Sequence, residues 1–406
     1  MARAVFTSIL EKLILLKHQA IEARNWALAA SCLLLYRRIR SGMQEMDSYR
    51  FNNWVRRTSI LYPSHAQWSK IKDRHEDSAY VSMMRVDVPV FRDMLHFVPE
   101  AAWYKRRPWL RHPAGWGAHR VLHRPRQAFF LGADDVLALA LFWLASTCDL
   151  RHLALVFGLS MTCVERDLRD GQDILLAIVD DMPDAEVRWP TFVQQYNNAL
   201  TINVMYGPMP PEHPVNAFAW ADGLRTDILV PTDGTERLFY NAKNKRHEVN
   251  SVFATEPQEG TICWARVNEP GRLHDMRLAA ELIAKIRDPR FTMRGYTILC
   301  DPGFKGAQDA LCTRKDMLVA GLSRSVRQKI NAAMTSRRQP AEWLMRVIQS
   351  LWKRVRLPLH RDAAERLRVF QMVVGMHNVV ARRMGNQIRT VLHEIQMRPG
   401  VRDALL

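Results

Sequence analysis

The sequence predicts an α/β fold, a mixed sheet with flanking helices, preceded by an all-α region that contains a helix-turn-helix. Three observations carry this. Residues 131–190 place apolar side chains at helical spacing, interrupted by one glycine turn. From about Asn216 the period changes to β-branched and aromatic runs, FAWADGLRTDILV, RHEVNSVFAT and GTICWARVN, parted by the turn signals Asp233-Gly234 and Glu259-Gly260. A helical stretch at 276–286, an apolar strand YTILCD and a late helix read as opening at Pro340 complete the order. Three strands, a helix, another strand and later helices fit the ribonuclease-H-like architecture.

Charge limits the partners. Lys and Arg number 58 against 41 Asp and Glu, a net charge of +17. That excess points to a polyanion, nucleic acid first and an anionic membrane surface second. The apolar stretches at 27–36 and 136–148 are shorter than the roughly 20 residues of a membrane span, so no membrane partner is expected. The six Cys form no CxxC pair and no even framework. They read as free thiols of a reducing compartment, cytosol or nucleus. No secretory signal is legible in the first 20 residues.

Along the chain, residues 1–100 are read as a helical N-terminal region. Residues 101–130 are a basic linker or arm: 105–126 holds seven Lys/Arg and no acid, with Trp109 and Trp116 interleaved. Such a segment either contacts phosphate or is a solvated loop. His119 and His123 within it have zinc-ligand spacing but lack the Glu of a metalloprotease helix. Residues 131–190 hold the helix-turn-helix, with a short helix from Asp149, a turn at Gly158 and a second helix entered through Ser160. That second helix turns Thr162, Glu165, Arg166 and Arg169 outward, as a recognition helix does in a major groove. A helical hairpin in any α-domain has the same pattern.

Four acids fall where the β-rich half can gather them. Asp222 lies in the first strand, Asp275 follows the third, Asp301 ends the fourth, and Glu342 stands in the late helix. Hydrolysis of a phosphodiester with divalent ions needs carboxylates from distant positions on two ions. Hard oxygen ligands suit Mg²⁺ or Mn²⁺. Each acid also has a plain structural reading: Asp222-Gly223 as a hairpin turn, Asp275 as a helix cap, Asp301-Pro302-Gly303 as a turn, and Glu342 as a dipole partner in a first helical turn. Asp227 lies on the opposite face from Asp222 by parity.

Five segments resemble the Harbinger-type DDE transposases and the nucleases domesticated from them. They are AWADGLRTDI, YNAKNKRHEVNSVFATEPQEGTICWARVNEPGRLHD, YTILCDPGF, RQPAEWLMRVIQSLWKRVRLPL and HNVVARRMGNQIRTV, in the family's order. The resemblance implies a DDE ribonuclease-H-like nuclease domain at 215–395. It makes Asp222, Asp275 and Glu342 the catalytic, metal-binding triad and Asp301 a further ligand of Mg²⁺ or Mn²⁺. It implies a double-stranded DNA substrate cut by two-metal hydrolysis, strand transfer to follow, and a nuclear location. Lys243, Lys245, Arg246 and the basic segment 324–338, with Arg324, Arg327 and Lys329, would track the phosphates, and Thr162, Arg166 and Arg169 would touch DNA from the helix-turn-helix. A homo-oligomer and a separate DNA-binding partner protein are compatible with it. The chain departs from the family at Leu224-Arg225-Thr226, at Pro302 and at Arg272-Leu273, beside the acids. The alternative implied is a domesticated, catalytically inactive DNA-binding protein.

Overall fold

The computed structural model describes residues 2–51, 60–98, 131–207, 215–307, 309–313, 323–385 and 390. The basic arm, His119 and His123 lie outside the described residues, as does part of the closing HNVVARRMGNQIRTV segment. Among the described residues no helix is long and apolar enough to cross a membrane.

The chain opens with two helices, α1 (Ala2–Glu22) and α2 (Trp26–Phe51), packed on each other through a tight turn at Arg24. Three short helices follow: α3 (Gln67–Arg74), α4 (Asp77–Met84) and α5 (Val88–His96). Helix α6 (Ala133–Ala145) is apolar on all sides, and nine of its thirteen residues are buried, which makes it the axis of the helical region. Its N-terminus is held from outside: Lys72 Nζ pairs with Asp134 (2.6 Å) and Asp135 (2.7 Å), and Trp68 Nε1 donates to Asp135 (2.9 Å).

The two helices on either side of Gly158 form as their caps dictate. Asp149 accepts the Arg151 and His152 N–H groups to open α7 (Leu150–Phe157). Gly158 ends it at φ +69°, where an added Cβ would meet Leu61 O at 2.7 Å, so only glycine fits. Ser160 accepts the Cys163 N–H and opens α8 (Met161–Asp181). Helix α9 (Phe192–Tyr206) then leads into the sheet, opened by a reciprocal Thr191–Gln194 capping box.

Among the described residues six strands build one mixed sheet: β1 (Asn216–Asp227), β2 (Tyr240–Asn241), β3 (Arg246–Thr255), β4 (Ile262–Pro270), β5 (Tyr296–Cys300) and β6 (Leu311–Cys312). β1 is central, antiparallel to β3 and parallel to β5; β4 and β2 pair the far side of β3, and β6 runs parallel beside β5. The two-residue strands β2 and β6 carry too few residues for a period-2 signal, and the sequence reading did not include them. One short helix, α10 (Glu236–Phe239), precedes β2. The expected helix at 276–286 is two, α11 (Asp275–Leu278) and α12 (Ala280–Arg287), broken at Ala279.

One boundary was misplaced. The late helix does not open at Pro340: α13 runs Arg324–Leu351, with Pro340 inside it. Ser323 supplies the true cap, accepting the Val326 N–H. A proline in a helix interior costs about 3 kcal/mol. Here Ile330, Met334, Ala341, Leu344 and Ile348 form one continuous buried stripe that carries the helix through. A further helix, α14 (Ala363–Arg383), is buried along most of its length.

These layers share a core. A single cluster of buried apolar residues joins α3–α8, the second half of α13, Trp352, α14, one face of β1 and β3 through Leu224, Val249 and Phe253, and Ile228 just after β1. Gly171 of α8 lets Val136 and Ala140 of α6 approach, and Gly375 of α14 admits Val179 of α8. The other face of the sheet packs on α11 and α12 through Leu278, Leu282 and Ile283.

Candidate metal centre and nucleic-acid interface

Asp222 and Gly223 are not a hairpin turn. Both lie within β1, in register with Phe253 and Val252 of β3. Because β1 runs parallel to β5 with Ala221 beside Cys300, the next residues, Asp222 and Asp301, emerge side by side where β5 ends. Asp301 then starts a single 3-10 turn, its Oδ1 accepting the Gly303 N–H at 2.6 Å. The turn reading of Asp301 is therefore real, but it uses one oxygen only.

Helix α13 crosses this end of the sheet, anchored by Trp220 Nε1, which donates to Arg337 O at 2.6 Å. One turn beyond that anchor stands Glu342, deep in the helix rather than in its first turn. The helix dipole, which acts over the first and last turns, does not explain an acid there. Arg338 joins the two elements: Nη1 donates to Asp301 Oδ2 at 2.6 Å and Nη2 to Glu342 Oε1 at 2.5 Å.

Asp275 arrives from the other side. It is the first residue of α11, not its cap; His274 holds that place, and the Asp275 carboxylate bonds no backbone N–H of the helix. Asn250 Nδ2 of β3 donates to Asp275 Oδ1 at 2.8 Å. A Cβ built on Gly303 would lie 3.0 Å from Asp275 Oδ2 and 3.1 Å from Asp301 Oδ1, so both carboxylates flank that glycine. Asp301 is thus the hub: it adjoins Asp222 across the strands, Asp275 across Gly303 and Glu342 through Arg338.

The electrostatics record the crowding. Asp222 is pushed up to about 6, first by burial, then by the carboxylates of Asp301 and Glu342; the Gly223 N–H (2.8 Å) and Arg338 pull the other way. Asn250 Oδ1, buried beside Gly223, has no hydrogen-bond partner. A set of hard oxygen donors with an unused buried oxygen next to it suits Mg²⁺ or Mn²⁺. Still, among the described residues no three His, Cys, Asp or Glu side chains are arranged to hold a metal ion.

Two cavities flank the cluster. One of about 280 Å³ is lined by Leu299, Cys300, Asp301, Pro302, Met334, Thr335 and Arg338. Another, about 400 Å³, is lined by Arg225, Tyr240, Asn241, Lys243, Arg272, His274 and Asp275. The departures noted in the sequence, Arg225, Arg272 and Pro302, thus all line the site. Glu248, buried on β3, accepts from Asn241 and from Asn244 (2.9 and 3.1 Å) and so fixes the loop that carries Lys243 and Lys245.

The expected DNA contacts divide. Thr162, Glu165, Arg166 and Arg169 face solvent on α8, Arg166 also bonding buried Asp167. Lys243, Lys245, Arg324, Arg327 and Lys329 are exposed; Arg246 is exposed too, and engages Asp227 at 2.9 Å. Of the basic segment 324–338, Arg337 is buried and donates to Gly207 O and Asn203, so it is structural. The closing His-Asn pair is structural as well. Asn378 accepts from Ile262 N (2.8 Å) and donates to Ile262 O (3.0 Å) and Glu186 O (3.1 Å), while buried His377 donates to Gly260 O. Arg338 and Asn250 went unremarked as site residues. The spacing Arg338-x-x-x-Glu342 becomes a signal once the helix start is set at Ser323.

Residues 221–378 match the family model of the DDE superfamily endonuclease, a span that begins one residue before Asp222, ends at Asn378 and holds all four carboxylates. The sheet and its helices are of the ribonuclease-H-like fold that this domain implies. No curated protein and no solved structure matches the chain.

Proposed function

We propose that the DDE superfamily endonuclease domain at 221–378 makes this chain a transposase-like nuclease of the Harbinger type, which cuts phosphodiester bonds of double-stranded DNA in the nucleus. The observation that carries the reading is the convergence on Asp301 of acids from β1, α11 and α13. Asp222, Asp275, Asp301 and Glu342 would hold Mg²⁺ or Mn²⁺. When bound, such ions supply an activated water nucleophile and stabilise the leaving 3′-oxygen, which can afterwards attack a target strand.

The chain's own residues do the rest. Asn250 orients Asp275, and the Gly303 N–H orients Asp301, so two of the acids stand in fixed directions before any ligand arrives. Arg225, Lys243 and Arg272 place positive charge on the Asp275 side, and Arg324, Arg327 and Lys329 on the α13 side. A duplex laid across the carboxylates meets cations in both directions. The exposed face of α8, with Thr162, Arg166 and Arg169, offers a further contact.

Asp222→Ala tests the reading. Mg²⁺- or Mn²⁺-dependent nicking of duplex DNA should vanish while DNA retention in a gel persists. Cleavage at the wild-type level by that variant, or DNA binding without cleavage by the wild-type protein with every divalent ion tried, would overturn it. The second outcome would favour the inactive DNA-binding reading.

A further inference from the structure

A cation already stands in the carboxylate cluster. Arg338 bridges acids from two different elements, with a hydrogen bond of 2.6 Å to Asp301 and one of 2.5 Å to Glu342. A guanidinium on an acid one turn away in the same helix is ordinary. Its second arm, reaching from α13 to the residue just after β5, is not a local pairing. With Asp301 Oδ1 held by the Gly303 N–H, both oxygens of the hub are taken. Asp222, crowded by like charges, receives among the described residues only the Gly223 N–H. No three acids are arranged for a metal among the described residues, although four approach one another. The guanidinium fills the position between Asp301 and Glu342.

From this we propose that Arg338 is the resting counter-cation of the cluster and a positioning residue of the reaction, displaced from Asp301 and Glu342 when a divalent ion loads. The inference rests on the nuclease reading of those acids. Displaced, the side chain has somewhere to go. It already lines the cavity of about 280 Å³ beside Pro302, Met334 and Thr335, where no acid other than Asp301 is present. A guanidinium released there meets an incoming DNA phosphate, for which its paired N–H donors are suited. Metal loading and phosphate capture are thereby coupled: the ion takes the carboxylates, and the arginine takes the anion that follows.

Full-length wild type, Arg338→Gln, Arg338→Lys and Asp222→Asn, each stripped with EDTA, test this by calorimetric titration with Mn²⁺ alone. Removing the competing cation should tighten Mn²⁺ binding by Arg338→Gln about tenfold. Arg338→Lys, which keeps charge but cannot span both acids, should fall between, and it answers the question if the Gln variant does not fold. Mn²⁺ affinity unchanged or weaker in both Arg338 variants overturns the proposal. If wild type binds Mn²⁺ and Asp222→Asn does not, unchanged affinity in the Arg338 variants overturns the counter-cation role of Arg338 alone; if no protein binds Mn²⁺, the metal reading fails with it. In a second arm, Ca²⁺ should tighten duplex binding by wild type but not by Arg338→Gln. An equal gain in both overturns the capture of phosphate by Arg338.

Discussion

Asp222 and His377 titrate in opposite senses, and the difference is measurable. Burial and like charge raise Asp222 from 3.8 to about 6, so between those values the folded chain binds more protons than the unfolded one. That term makes the metal-free protein lose stability as pH rises from about 4 to about 6. Burial depresses His377 from 6.5 to about 4, so there the unfolded chain binds more protons and stability rises with pH over that window. The two oppose each other across most of the same range. Asp222→Asn removes one, and the EDTA-treated variant should melt above wild type at pH 7.5, by about 1–3 kcal/mol, with the gain gone near pH 4. A variant no more stable than wild type at pH 7.5 would show that the acids are not crowded. Asn378→Ala, which strips partners from a buried N–H and a buried C=O of Ile262, should cost about 3 kcal/mol in urea denaturation.

At the scale of elements, glycines set the distances. Helices α8 and α14 touch where Gly375 leaves room for Val179, whose Cγ1 would lie 2.2 Å from an added Cβ. Gly375→Ala must part the helices or force Val179 off its rotamer, and a loss of about 2–3 kcal/mol is expected, measured by thermal melting. Val179→Ala in the same chain should return part of it. The elements also show what a sequence makes legible. β1, β3, β4 and β5 were readable from alternation and β-branched runs, and α7 and α8 from Asp149, Gly158 and Ser160. The start of α13 was not, because a Pro that suits a first turn drew the boundary, while the Ser323 cap and the stripe from Ile330 to Ile348 decided it. The four acids were legible as candidates. Their hub was not, since the adjacency of Asp222 and Asp301 depends on β1 and β5 being parallel neighbours, and the role of Arg338 depends on the helix register.

At the scale of the molecule, the helix that carries Thr162 and Arg169 is not a separate body tethered to the sheet. It shares one hydrophobic cluster with β1, β3 and α14. Calorimetry of the chain should give one cooperative transition for this unit, with Gly375→Ala and a substitution in β1 shifting the same peak. Two well-resolved transitions, each answering to only one of the substitutions, would contradict a shared core.

On the proposed nuclease reading, that common core makes the protein a ruler. A duplex held on the outer face of α8 would reach the carboxylates from a mounting that shares their hydrophobic core. The number of base pairs separating the two is then a property of the protein, and cleavage should fall at one constant offset whatever sequence lies between.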